Sequence, residues 1–340
     1  MATTLPTLTK TIDTAFVSTW YELKSEAVDN ILNASVVWAA LKDKGCMKTQ
    51  QGGTYITRPI RYGTVATQAV KKGSVFSQGE PELKTMARWT WRYISAHVQR
   101  SLFDDQVNRG PAKIADLVKD RLGAARDALI AKFESQILGT HVTDETGDEF
   151  QGLNDIVPLQ ITQAVTGTYG GITRPATYVS GVAATGNTWW APKFGMWTAP
   201  VEVNMVSDMR HMFNMLANNQ VPPDLIITDQ TFFELYEDFA LDMSQIVKDE
   251  STKLADLGFE VMRYKGKPMI WTPNITASNM LMLTTSFIDV VYDPGMWFDM
   301  TEWKPVPLGG ERIAHILSAC NTACSQLRRQ GRIQTASVST

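Results

Sequence analysis

Residues 44–79 carry Lys44, Lys48, Arg58, Arg61, Lys71 and Lys72 and not one acidic side chain, a local charge of +6 in a stretch rich in Gly, Thr and Val. Such a composition disfavours helix and reads as extended strand and loop. It leads into Arg88-Trp89-Thr90-Trp91-Arg92-Tyr93, where aromatic and polar side chains alternate strictly. A period of two puts Trp89, Trp91 and Tyr93 on one face and Arg88, Thr90 and Arg92 on the other, as in a strand with one face buried. Together the two stretches predict a long hairpin over residues 52–100. A lone hairpin is marginally stable in water, so this one must lie on something else. The chain offers a counter-charge: residues 201–260 hold twelve acidic and three basic side chains, a net −9. A basic arm and an acidic region in one chain are complementary in the way expected when an arm of one subunit lies over another. Single surface ion pairs contribute only about 0–1 kcal/mol, but repetition in a closed shell fixes register. The pattern points to assembly rather than catalysis.

Elsewhere the periodicities predict an α+β chain. Phe16, Trp20, Leu23, Ala27, Ile31, Ala34, Trp38 and Leu41 recur at steps of three and four, predicting an amphipathic helix from the N-cap Asp13 to Lys44, stopped by Gly45. After Gly110-Pro111, the stripe Ile114, Leu117, Val118, Leu122, Ala125, Leu129, Phe133 and Ile137 predicts a second helix running to Gly139. At about 1.5 Å per residue this helix is roughly 40 Å long, the longest element in the chain. Residues 140–200 read as loop with short strands. A helix over 201–219 precedes a buried strand over 224–228, and Asp229 caps a further helix from 229 or 231 to about 245. Segments 259–262, 267–271, 280–283, 288–292 and 313–319 read as successive strands.

Among 340 residues, 35 acidic and 32 basic side chains leave a net charge of −3, too near zero for a protein whose main work is coating nucleic acid. Cys46, Cys320 and Cys324 are an odd set of three, best read as reduced thiols. The N-terminus lacks a basic n-region followed by an apolar run, and no long uncharged apolar stretch occurs, so neither a signal peptide nor a membrane anchor is predicted. The commoner catalytic signatures are absent: HExxH, paired CxxC, GxxxxGK[ST], GxSxG and the dinucleotide fingerprint. His97, His141, His211 and His315 are scattered, and the spacing of His315, Cys320 and Cys324 matches no familiar zinc pattern. Trp189, Trp190, Trp197, Trp297 and Trp303 read as core or interface aromatics rather than a sugar platform. No catalytic, cofactor-binding or metal-binding residue is predicted.

The order of these parts resembles the major capsid proteins of tailed bacteriophages, which have the Hong Kong 97 capsid fold. On that resemblance residues 1–51 correspond to the N-terminal arm, 52–100 to the extended β-hairpin loop, and 101–150 to a peripheral domain with the long spine helix. Residues 151–295 correspond to the axial domain and 296–340 to the closing strands of the peripheral domain. Segments 152–157, 187–190 and 222–233 resemble parts of the axial domain, and 259–297, with its 265–268 and 292–295 turns, resembles the run into the closing strands.

The resemblance implies a structural protein that assembles with itself, as pentamers and hexamers, into an icosahedral virion head enclosing double-stranded DNA without reading its sequence. It further implies assembly in the host bacterial cytoplasm, with a separate scaffolding protein, a portal and in some cases a decoration protein as partners. The expected subunit-interface residues are Arg58, Arg61, Lys71, Lys72, Arg88 and Arg92 toward acidic neighbours, Trp89, Trp91 and Tyr93 on the apolar face of the loop, and Trp20 and Trp38 on the N-terminal helix. Lys71 and Lys72 sit at the hairpin tip, where some members carry a crosslinking lysine. No partner Asn or catalytic Glu can be placed, so no crosslink is predicted. Two other readings stand beside this one: an encapsulin-like shell of the same fold housing an enzyme cargo, and a soluble hydrolase using carboxylates of 201–260.

Overall fold

The computed structural model describes residues 35–63, 65, 67, 69–73, 82–101, 111–139, 149–159, 167–175, 178–179, 182–217, 221–242, 262–306 and 310–335. Its longest strand, β17 (Glu311–Cys324), organises the first of two six-stranded sheets. Along one edge β17 pairs antiparallel with β4 (Arg92–Ser101) through ten residue pairs, from Glu311↔Ser101 to Cys320↔Arg92. Its other edge takes, in turn, β16 (Lys304–Pro305), β15 (Asp299–Met300) and β14 (Ile288–Tyr292), and β1 (Met47–Thr49) adds parallel to β14. The sequence predicts only residues 313–319 of β17, because Asn321 and Thr322 interrupt the apolar run. Both are fully buried. The Asn321 amide explains its presence there: Nδ2 donates to the Thr90 carbonyl (2.8 Å) and Oδ1 accepts from Gln151 N (3.0 Å) and Thr322 N (2.8 Å). A buried amide satisfied on both ends costs little and tethers three segments.

Helix α1 spans Val36–Asp43 and α2 spans Pro111–Ile137. Ser35 has extended backbone (φ −100°, ψ 127°), so α1 begins at Val36 and the predicted single helix from Asp13 to Lys44 is corrected to a separate short one, with residues 1–34, Trp20 among them, outside the described residues. From Leu122 on, the stripe predicted for α2 is as expected, with Leu122, Ala125, Leu129, Phe133 and Ile137 all buried, while the side chains of Ile114, Leu117 and Val118 lie outside those described. Its C-terminal half packs against an aromatic cluster. Trp38 of α1 lies edge-on to Phe133 (centroids 5.5 Å apart) and stacked on Phe150 (5.9 Å), while Phe133 also meets Phe298 at 5.4 Å. The Trp38 indole N–H donates to the Phe133 carbonyl (3.1 Å), so the ring keeps its polar partner when buried. Each such side chain contributes about 1.5–3 kcal/mol by leaving water.

The second sheet runs β11 (Met262–Tyr264), β12 (Lys267–Trp271), β10 (Leu225–Thr228), β13 (Asn279–Leu283), β18 (Gly331–Gln334) and β9 (Lys193–Met196). Both faces are covered, and β10 and β13 are buried throughout. Leu225, Ile227, Leu281 and Leu283 join the core of the first sheet, while Ile226, Met280 and Met282 face a methionine-rich core under two helices. The short α3 (Leu153–Ile156) follows α2, and farther along the chain β5 (Thr168–Tyr169) pairs with β6 (Ile172–Thr173) and β7 (Tyr178–Val179) with β8 (Val182–Ala183). Of the two covering helices, α4 (Val201–Leu216) inserts Met205, Met209, Met212, Phe213 and Leu216, and α5 (Gln230–Asp242) inserts Phe232 and Phe233. Asp229 caps α5 as predicted, with Oδ1 accepting from Phe232 N (3.4 Å). Helix α4 sits so close to β18 that a Cβ on Gly331 would fall 2.7 Å from Leu216 Cδ1. The sequence reading does not find β18, a short stretch of mixed polarity whose Arg332 is buried among the asparagines Asn154 and Asn279.

The chain crosses between the sheets after β13 and returns after β17, and both crossings are pinned by reciprocal bonds. Thr284 N donates to Gln330 Oε1 (2.9 Å), Gln330 Nε2 donates to the Thr284 carbonyl (3.0 Å), and Thr285 N donates to Asp224 Oδ1 (2.7 Å).

Cys46, Cys320 and Cys324 are free and buried, and burial pushes each thiol from 9.0 up to about 12. A raised acid pKa in the fold means stability held in full below the unfolded value of about 8.5–9 and lost as pH climbs toward 12. The native chain is therefore expected to leave all three thiols unreacted with a disulfide reagent at about pH 8. The same chain in denaturant is expected to titrate three, and its urea midpoint to fall steadily above about pH 9.

Candidate assembly surface

Strands β2 (Tyr55–Arg61) and β3 (Lys84–Thr90) form the basic hairpin, paired antiparallel from Tyr55↔Thr90 to Arg61↔Lys84. The predicted hairpin is thus shorter than 52–100. The chain leaves it at Trp91 and enters the first sheet as β4, which resets the pleat. Ala87 and Trp89 are buried before the break, and Ile94 and Val98 after it. Tyr93, expected beside Trp89, instead faces solvent at 59% exposure. Trp91 is half-buried and its indole N–H donates to the Gly53 carbonyl (2.8 Å).

The inner face of the hairpin, Ile56, Ile60, Ala87 and Trp89, is buried against the body of the molecule. The root is fixed by one close approach: Gly170, at φ +62°, leaves room for the Trp89 ring, and a Cβ there would fall 2.8 Å from Trp89 Cζ2. Arg88 N donates to the Gly170 carbonyl (2.9 Å), and Tyr169 meets Trp89 edge-on at 5.6 Å. Arg58 also belongs to this inner side. Its Nε lies 3.0 Å from Asp289 Oδ2 of the same chain, with each side chain about one quarter exposed (27% and 26%). Farther out, Tyr62 stacks on Trp189 (4.6 Å) and its hydroxyl donates to Glu82 (2.9 Å), a bond that pushes the Tyr62 hydroxyl above its ordinary pKa.

The outer face is where the predicted residues part company. Arg61 and Arg88 lie on it, exposed, and Lys71 and Lys72 are exposed beyond it. Trp38 and Trp89, expected at a subunit interface, are instead core residues at 0% and 2% exposure, because α1 and the hairpin root supply their cover from within the chain. Arg92 is half-buried at the head of β4, opposite Cys320. The outer face adds residues the sequence reading overlooks: Tyr55 at 45% exposure, Met86 at 50%, and the exposed Pro59 and Lys84. Period-two counting from Arg61 back to Tyr55 places them together, once Arg58 is assigned to the inner side. With Gln151 and Gly171, Tyr55, Met86, Arg88 and Thr90 line a cleft of about 520 Å³ at the hairpin root. The two strands hold four basic side chains and no acidic one. With Arg58 paired to Asp289 on the inner side, Arg61, Lys84 and Arg88 remain on the outer face beside exposed apolar area, which suits a partner presenting carboxylates around an apolar patch.

Among the described residues no three His, Cys, Asp or Glu side chains gather as a metal ion would require. His315 is exposed while Cys320 and Cys324 are buried, so that trio is not brought together. Trp190 and Trp197 are core residues, at 0% and 6% exposure. Among the described residues no helix is long and apolar enough to cross a membrane.

No protein-family model and no curated protein matches the chain by sequence. Solved structures match over nearly its whole length. The capsid asymmetric unit of cyanophage A-1(L) superposes with a TM-score of 0.57 at 14% identity, covering 86% of this chain and 90% of that one. The capsid of the native GTA particle gives 0.55 at 12% identity, covering 89% and 91%. The chain has the fold of a phage capsid subunit. An encapsulin complex from Synechococcus elongatus matches at a TM-score of 0.47 and 9% identity over 86% of each chain, a similarity that carries no weight between kinds of shell. In capsid-fold terms, the mixed α+β architecture is as the sequence predicts.

The Gly170 contact is testable in the isolated subunit. Gly170→Ala forces a side chain onto Trp89 at a positive φ and is expected to cost about 1–3 kcal/mol. Hydrogen exchange should speed up in residues 84–90 and stay unchanged in β10 and β13, and equal exchange in the hairpin would show that the contact does not anchor it.

Proposed function

We propose that this chain is the major capsid protein of a tailed double-stranded DNA phage, of the Hong Kong 97 type, and that it acts structurally rather than as an enzyme. The observation that carries the reading is the hairpin: rigid at its root, apolar and basic on its outer face, on a subunit with a capsid fold. In this reading the second sheet with α4 and α5 is the axial domain. The first sheet with the spine helix α2 is the peripheral domain, β2 and β3 form the extended loop, and residues 1–51 are the arm, whose β1 adds to the edge of the first sheet. Strand β14 thus leaves the expected axial range 151–295 for the first sheet, and β18 leaves the closing range 296–340 for the second. The outer face of the loop lies over a neighbouring subunit, so Tyr55 and Met86 are buried there while Arg61 and Arg88 meet its carboxylates. Closed symmetry repeats this modest contact until pentamers and hexamers complete a shell. Its partners are then other copies of itself, a scaffolding protein and a portal, and its place is the virion, after assembly in the host bacterial cytoplasm around DNA it does not read.

The double substitution Arg61→Glu with Arg88→Glu reverses the charge of the outer face without touching the core. Sedimentation velocity and negative-stain microscopy of the variant, co-expressed with its scaffold, are expected to show unassembled subunits that melt like the parent, where the parent forms closed shells. Shells of normal size and yield from the variant would overturn the assignment of the hairpin as an assembly element. Particles containing a protein cargo in place of DNA would overturn the phage-head part of it.

A further inference from the structure

The four histidines are scattered in the sequence, yet two of them meet in the fold. His97 of β4 and His315 of β17 are direct antiparallel partners. Their side chains therefore project from the same face of the first sheet, and both are exposed. The pair is of the narrow kind. The His315 carbonyl accepts from Thr301 N (2.8 Å) and His315 N donates to Thr301 Oγ1 (2.9 Å), while the Glu311 and Ala319 carbonyls turn the same way, toward Val306 and Asp293. These backbone groups point away from β4, which makes His97 and His315 a non-hydrogen-bonded pair with Cα atoms about 4.5 Å apart. Their Cβ atoms are then about 4.5–5.5 Å apart, near enough for both rings to reach one point above the sheet. Among the described residues neither imidazole is engaged in a hydrogen bond or an ion pair.

We propose that His97 and His315 chelate a divalent late first-row transition metal, such as nickel, copper or zinc, through one ring nitrogen each, with water completing the shell. Neutral imidazole is a preferred ligand of these ions. Magnesium and calcium, which ask for several oxygen donors, are excluded by the same donor set. Ten paired residues hold the two strands in register, so little freedom is lost when the rings converge on an ion. Charged groups on the neighbouring elements already have partners of their own, Asp299, opposite Leu317 on the same face, among them. Glu311 is engaged by the Gln99 amide, the Arg121 guanidinium donates to the Gln99 carbonyl (2.6 Å), and Lys132 bonds to Glu149 at 3.0 Å. Arg121 and Lys132 lie on α2, across a cleft of about 390 Å³ that runs along β4. A bound ion fastens the strand leaving the hairpin to the central strand of the sheet and stabilises the fold by linkage.

The test is titration calorimetry of the purified full-length chain with nickel(II) chloride in a non-chelating buffer at about pH 7.5. One ion per chain is expected. His97→Ala and His315→Ala should each weaken binding about tenfold or more. His211→Ala, which removes an exposed histidine on α4, is the control and should bind as the parent does. All three positions are exposed, so the metal-free variants should melt like the parent. No one-to-one isotherm, parental affinity in either single variant, or an equal loss in His211→Ala would each overturn the proposal.

Discussion

The ladder between β4 and β17 is the constraint on which the rest of the molecule depends. A two-stranded hairpin does not hold its shape alone, and this one joins the first core only through its inner face, Ile56, Ile60, Ala87 and Trp89. Its exit strand continues without a loop into ten paired residues of the first sheet, so the hairpin inherits the rigidity of β17. Asn321 of β17 reaches back to hold the Thr90 carbonyl at the last residue of β3 (2.8 Å), and Trp89 settles against Gly170. An outer face that would otherwise fluctuate is thereby presented in one orientation. Presenting apolar area in a fixed geometry reduces the ordering cost of association.

The interior shows how two differently built sheets are kept together. The first core is aromatic and aliphatic, with Trp38, Phe133, Phe150 and Phe298 in mutual contact, whereas the second is rich in methionine under α4 and α5. Methionine fills irregular space and tolerates small shifts. Leu225, Ile227, Leu281 and Leu283 carry the first core onto the second sheet, and polar joints add to that packing. Arg332 is fully buried with asparagine partners instead of a carboxylate, and burial pushes its guanidinium down to about 9. A buried cation held this way is costly to misplace, so it favours one arrangement of α3 against β13 and β18 over its alternatives. The reciprocal Thr284 and Gln330 bonds do the same at the crossing between sheets.

What was legible in the sequence follows from what is local. The stripe from Leu122 to Ile137 and the run at Leu225–Thr228 with its Asp229 cap are written in neighbouring residues, and they fold as their periodicity says. The order of parts was enough to suggest a capsid fold. The features that escaped are those set by distant partners. Strict alternation from Arg88 to Tyr93 conceals that the chain changes sheets at Trp91, because one sequence period serves two unrelated sheets. Arg58 looks like its neighbours Arg61 and Arg88 until Asp289, far along the chain, claims it. Trp38 and Trp89 look like interface aromatics because large rings suit both places, and only the positions of Phe133 and Gly170 decide for the core. His97 and His315 become a pair solely through register.

The account rests on the outer face of the hairpin meeting another copy of the chain. The most direct measurement is a cryo-electron microscopy reconstruction of assembled particles at side-chain detail. It should show Tyr55 and Met86 covered by a neighbouring subunit, with Arg61 and Arg88 beside that subunit's carboxylates. Shells in which this face remains open to solvent, or a chain that stays monomeric with its scaffolding protein present, would contradict it.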